Sequence, residues 1–178
     1  MEPRPDDFRV VMGHFATGIS VVTTFDEDRP AGITVNAFSS VSLEPALVMV
    51  ALDRGRFITP MVRAACRYAV NVLGADQQAL SDCFAHAPVR PGELGREAFC
   101  GAAWHPGPTG LPLLDGSIAT LECTVVETFS AGDHDLFIGR VDSMEQPREG
   151  VAPLLYFRRR YLRIEQGEDS PVEGKPEG

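Results

Sequence analysis

Three runs rich in β-branched residues follow one another with almost no chain between them: ISVVTTF (19–25), AGITVNAFSSVS (31–42) and ALVMVAL (46–52). Their links are DEDRP (26–30), which has turn chemistry, and a break at Glu44-Pro45. Such runs read as strands, and strands joined by links this short argue for an antiparallel meander. A doubly wound nucleotide fold is disfavoured, since neither GxGxxG nor GxxxxGK[ST] occurs.

The remaining chain fits the same reading. In DDFRVVMGHFATG (6–18), Phe8, Val11, Met12 and Phe15 fall on one face of a helix that Asp6 or Asp7 starts and Gly18 ends. FITPMVRAAC (57–66), with Pro60 in its first turn, and ADQQALSDCFAHA (75–87) are two more helices. RYAVNVL (67–73) is a strand, Pro88, Pro91, Gly92 and Gly95 mark a loop, and LPLLDG (111–116) is a turn. SIATLECTVVETFS (117–130) alternates with Ala119, Leu121, Cys123 and Val125 on one face, and DLFIGRVDSM (135–144) pairs with it as a hairpin. LLYFRRRYLRI (154–164) supplies the last strand. The fold class is therefore mainly β, an antiparallel barrel with accessory helices. One domain is expected over residues 8–164, after a flexible N-terminus (1–7) and before a disordered tail (165–178) too poor in apolar residues to fold.

Charge and cysteine content narrow the partners. A formal charge of -9 and a pI near 4.9 exclude a general nucleic-acid binder, which needs a positive footprint. No apolar run approaches ~18–20 residues and no leader peptide is apparent, so a cytoplasmic protein off the membrane is expected. Cys66, Cys83, Cys100 and Cys123 form no CxxC pair, and they read as buried or half-buried thiols in a reducing compartment, with no metal site.

Two segments carry chemistry. TVNAFSSVS (34–42) places hydroxyls and an amide in and after one strand, which suits either a half-exposed strand or donors for a nucleotide. SAGDHDLFIGRV (130–141) places His134 between Asp133 and Asp135 where a turn gives way to a strand. That histidine is either a turn residue satisfied by its neighbours or a ligand contact. His14, His86 and His105 have no such setting and read as structural or exposed, and Trp104 as packing.

FATGISVVTT, GITVNAFSSVSLEPALVMVALD, YAVNVL, LPLLDGSIATLECTVVE, GDHDLFIGRV and PLLYFRRRYLRI together, in this order over about residues 8–164, resemble the flavin reductase family. The resemblance implies an FMN-binding split β-barrel, a homodimer, and NADH- or NADPH-dependent reduction of FMN or FAD for a partner monooxygenase reached by flavin diffusion. It places Thr34, Val35, Asn36, Ala37, Ser39, Ser40, Ala51, Leu52 and Asp53 against the flavin, and His134 at the pocket mouth where the nicotinamide nucleotide docks. The family's Ser-x-Thr pattern is missing or shifted here: Arg56, Phe57 and Ile58 stand at its place with Thr59 one position later, and Arg56 is a substitute phosphate partner. Arg158, in an aromatic–basic stretch with Tyr156, Phe157 and Tyr161, is implied near the flavin and subunit boundary. A flavoprotein that keeps its flavin for another substrate, or a non-catalytic flavin-binding module, are the alternatives on the same fold.

Overall fold

The computed structural model describes residues 4–26, 29–86, 99–146 and 148–164. In chain order these form α1 (Pro5–Met12), β1 (Thr17–Gly18), β2 (Ser20–Asp26), β3 (Arg29–Val35), β4 (Phe38–Leu43) and β5 (Ala46–Asp53). There follow α2 (Ile58–Ala65), β6 (Arg67–Val72), α3 (Gln78–His86), β7 (Trp104–Pro106) and β8 (Pro112–Leu114). The long strands β9 (Ala119–Ala131) and β10 (His134–Glu145) and the short β11 (Leu155–Phe157) and β12 (Arg160–Leu162) complete the order. The protein is mostly β and antiparallel, as the strand runs imply.

Seven strands pair in the order β3-β2-β6-β9-β10-β5-β4. Period-2 alternation explains the core: along β5, Val48, Val50 and Leu52 are buried while their neighbours are less so. They meet Val22, Ile33, Val35, Tyr68, Val70 and Phe137 from the other strands and Ile58 and Val62 from α2. Burying side chains of this size contributes about 1.5–3 kcal/mol each.

The stretch AGITVNAFSSVS is not one strand but two, and the break organises the molecule. β3 and β4 are the two edges of the seven-stranded sheet, yet only Asn36 and Ala37 separate them. Val35 to Phe38 is three Cα steps, about 11 Å at most. The sheet therefore curls enough to bring the end of β3 to the start of β4, and the Ala51 N–H, donating to the Ala37 carbonyl at 3.0 Å, ties the corner to β5. The gap beside this corner is a groove.

Other expectations change in detail. LLYFRRRYLRI is a hairpin, β11–β12, reversed at Arg158 and Arg159, both with positive φ (48° and 63°). That is the pattern of a type I′ turn, which Asn-Gly normally fills. LPLLDG holds β8, paired with β7 through Trp104↔Leu114, and only then turns. α1 ends at Met12, Gly18 lies in β1, and no side chain caps the helix at Arg4. Its apolar face is bare in the single chain, with Phe15 beyond it 69% exposed. The proposed disordered tail lies outside the described residues.

The cysteines are not all free. Cys83 on α3 bonds to Cys100, while Cys66 and Cys123 stay reduced. Spacing along the chain hid this, because packing sets the distance: the neighbouring Phe84 and Phe99 stack edge-to-face with ring centroids 5.0 Å apart and bring the two sulfurs together. Both cysteines are half-buried.

Candidate functional site

The β9–β10 hairpin turns in two residues, Gly132 and Asp133. Gly132 has φ +59° and Asp133 does not follow it into the left-handed region, the pattern of a type II′ turn that needs glycine first. His134 thus becomes the first residue of β10, opposite Ala131 on β9 and Asp53 on β5. The tip is held from both sides. The Arg54 N–H donates to the Asp133 carbonyl at 3.0 Å and the Arg54 guanidinium donates to the Gly132 carbonyl. Asp135, 2% exposed, accepts from Arg63 of α2 at 2.5 Å and from the Ser130 hydroxyl at 2.8 Å. Those donors, Arg63 first, hold the Asp135 carboxyl below the usual carboxylate range.

The His134 ring has one committed nitrogen. Nδ1 lies 2.7 Å from Asp133 Oδ1, and since a carboxylate only accepts, Nδ1 donates. This bond is the main reason the Asp133 carboxyl lies below its ordinary range. Nε2 has no partner among the described residues, and His134 is part of the lining of a cavity. In the neutral ring it is then an acceptor.

That cavity, of about 230 Å³, is lined by Thr34, Val35, Asn36, Ala37, Ala51, Leu52, Asp53, Arg56 and His134, with Ile33 and Ala85. Nine of the residues singled out in the sequence therefore converge. Ser39 and Ser40 do not: they lie exposed on edge strand β4, where Ser39 Oγ donates to the Ser40 carbonyl. Arg158 lies elsewhere too, donating to His14 Nε2 at 3.1 Å beside a separate hollow. Thr59 is buried and its hydroxyl donates inward to the Asp53 carbonyl at 2.7 Å.

A second cavity of about 630 Å³ opens off the first, sharing Thr34, Val35, Asn36, Arg56 and Ala85. Its further walls are Ser81, Asp82 and His86 from α3 and Tyr156, Arg159 and Tyr161 from the β11–β12 hairpin, with Ile19. A hydrogen-bond chain joins them: Thr34 Oγ1 donates to the Ser81 carbonyl at 2.7 Å, Ser81 Oγ and Tyr161 Oη lie 2.9 Å apart, and Tyr161 donates to Asp82 Oδ1 at 2.8 Å. Sequence reasoning missed this wall. One signal existed, the small and polar residues Ser81, Asp82, Ala85 and His86 at i, i+1, i+4 and i+5 on one face of a helix.

The donor set can be tested against a flavin nucleotide. Val35, Ala37, Ala51 and Leu52 offer an apolar, small-residue surface for a flat ring. The Asn36 amide, without a partner among the described residues, offers a donor and an acceptor to a polar ring edge. Arg56, whose only ion pair among the described residues is a loose 3.9 Å contact with Asp53, leaves a cation for an anionic tail. The residues fit.

Fold and site thus define an antiparallel β protein with a two-lobed groove beside the Asn36–Ala37 corner that links its two edge strands. The family model for the flavin reductase like domain matches residues 12–165, and the chain belongs to that family. It is 36% identical to the flavin-dependent monooxygenase reductase subunit HsaB of Mycobacterium tuberculosis, over 94% of this chain and 87% of the relative. It is also 36% identical to an NADH-dependent flavin reductase of a Rhodococcus species, over 96% and 93%. Among solved structures, the NADH:FAD oxidoreductase SgcE6 of Streptomyces globisporus C-1027, in complex with NAD and FAD fragments, superposes with a TM-score of 0.82 at 31% identity, covering 95% of this chain and 99% of that one.

Proposed function

We propose that this protein is an NADH-dependent flavin reductase that hands reduced flavin to a partner monooxygenase by diffusion. The observation that carries the reading is the convergence of nine residues, from Thr34 to His134, on one small lobe that opens into a larger one. When bound, the nicotinamide supplies a hydride and the flavin ring accepts it. The protein's own part is placement. Val35, Ala37, Ala51 and Leu52 set the plane of the ring and keep water from it, and Asn36 fixes its polar edge. His134 Nε2, held by the Nδ1 bond to Asp133, orients the nicotinamide carboxamide, whose NH₂ it can accept.

Openness of the groove favours exchange of flavin over permanent retention, and hence the shuttle over a resident-flavin enzyme. The larger lobe leaves FMN and FAD both possible substrates. The reading also includes a homodimer: edge strand β4 exposes Val41 and Leu43, the latter 91% exposed, and a second copy is the natural cover for such a face. Cytoplasm, the site of the NADH pool, is the proposed location.

The test is steady-state loss of NADH and NADPH absorbance with FMN, FAD and riboflavin, beside light scattering for the dimer. Rapid oxidation of NADH only when free flavin is added is the expected result. Flavin that survives dialysis at one per chain would favour the resident-flavin alternative.

A further inference from the structure

Arg159 stands where a left-handed backbone is required and an arginine is poorly suited. It is the second central residue of the I′-type turn between β11 and β12, with φ +63°, a position glycine fills with least strain. Its neighbour Arg158 is engaged, with His14 and over the Phe157 ring at 5.5 Å. Arg159 has no hydrogen bond or ion pair among the described residues, and it stands between the larger cavity and the hollow beside His14, lining both. Non-glycine residues in such conformations persist when something else is gained there, and they cluster at ligand sites.

The other cation of this cavity is Arg56, from the β5–α2 loop. On that side the hydroxyl of Thr59 is spent on the Asp53 carbonyl, so Arg56 is the donor left for an anion. Opposing them is Asp82, one of whose oxygens already accepts from Tyr161. In a chain of net charge -9, two arginines facing one cavity form a local cationic site against the global field. A guanidinium matches the oxygens of a phosphate ester in a forked geometry.

We propose that Arg159 is a specificity residue that, with Arg56, binds the phosphate of the nucleotide flavin in the larger lobe, so that the protein distinguishes FMN and FAD from riboflavin. The assignment rests on the flavin-reductase reading and goes beyond it in naming the residue that reads the tail. The flavin is favoured over the nicotinamide nucleotide as the source of that phosphate because the larger lobe continues directly from the lobe that fits the ring.

The experiment compares the full chain with Arg159→Gly and Arg159→Gln by equilibrium titration of riboflavin, FMN and FAD, with thermal denaturation alongside. Loss of a charge-assisted bond at an exposed residue predicts an FMN and FAD Kd raised about five- to tenfold in both variants, with riboflavin within about twofold. The Tm of Arg159→Gly should hold or rise, because glycine relieves the turn while removing the contact. Equal weakening for riboflavin, or no change for any flavin, would overturn the proposal. So would an effect confined to NADPH binding, since the phosphate read would then be the nicotinamide nucleotide's. If the wild-type chain binds no flavin at all, the flavin-reductase reading fails instead. If it binds riboflavin as tightly as FMN, that reading stands and the role of Arg159 falls.

Discussion

On one side of the groove, β3, β5 and β10 present Val35, Ala51, Leu52 and His134 from backbone fixed by sheet ladders. On the other, α3 and the β11–β12 hairpin present Ser81, Asp82, Tyr156 and Tyr161 through side-chain hydrogen bonds and one disulfide. The first wall is rigid because its residues lie in strand ladders: His134 pairs with Ala131 and Asp53 at once, Ala51 and Leu52 pair with Leu136 and Asp135, and Val35 pairs with Ser20. The second is joined to the first by the Thr34–Ser81 bond and held within itself by the Ser81–Tyr161–Asp82 bonds, Cys83–Cys100 and the packing of Phe84, Tyr156 and Tyr161 on a separate apolar cluster. Each can be lost without unpairing the sheet. A groove built this way holds the reacting ring on a fixed bed, while the wall beside its tail can adapt.

The largest test of that contrast is reduction of Cys83–Cys100. The bond closes a loop over a sequence separation of 17, for which chain entropy gives about 3 kcal/mol. A domain of this size should lose about 6–12 °C in Tm in reductant or as Cys83→Ser. The ladder wall should be spared, so riboflavin affinity should change little. A Tm shift under about 2 °C would mean that apolar packing around Phe84 and Phe99 holds the second wall without the disulfide.

The ladder wall should break differently, by crowding. Gly139 sits at a register shift between β10 and β9, and a Cβ added there would meet Tyr68 Cζ and Cys123 Cβ at 2.8 Å each. Tyr68 is fully buried and its hydroxyl donates to the Phe137 carbonyl, so it has nowhere to move. Gly139→Ala should cost about 1–3 kcal/mol by denaturant titration. Tolerance of alanine would show that this wall is looser than its pairing suggests.

What was legible in the sequence follows the same division. Strand runs and the β9–β10 hairpin could be read because period-2 alternation and a Gly-Asp turn are local signals, whereas the residues of the first lobe came from the resemblance to flavin reductases. The corner at Asn36–Ala37 could not, since nothing local in TVNAFSS marks a change from one sheet edge to the other. Nor could the second wall: Ser81 meets Tyr161 across 80 positions, and Cys83 finds Cys100 through the packing of the phenylalanines beside them. Arg158 and Arg159 disguised their turn, because an arginine pair is a poor signal for a conformation that usually announces itself with Asn-Gly.

Within the first wall, His134 should act on one ligand only. His134→Ala removes one hydrogen bond at the mouth, about 1–2 kcal/mol, or a five- to thirtyfold rise in KM for NADH. Flavin Kd should stay within about twofold and kcat should fall less than KM rises. Loss of flavin affinity with KM unchanged would move His134 to the flavin side and blur the division of labour drawn between the two lobes.

The smallest effect concerns the bracing of that histidine's strand by Asp135. Its carboxyl is buried, but Arg63 is about half exposed, and solvent screening limits what the pair contributes. With the folded-state pKa depressed by Arg63 and Ser130, the contribution is fully present above the unfolded-state value, about 3.9, and is lost as pH falls through the folded value. Wild-type Tm should therefore exceed that of Asp135→Asn at neutral pH, and the two curves should converge as pH drops below about 4. The asparagine keeps the shape and can still meet the Ser130 hydroxyl, so the difference isolates the charge. Curves that stay parallel down to about pH 3 would show that the ion pair adds nothing to the ladder, and that the hairpin tip is held by Arg54 and the β5 pairing alone.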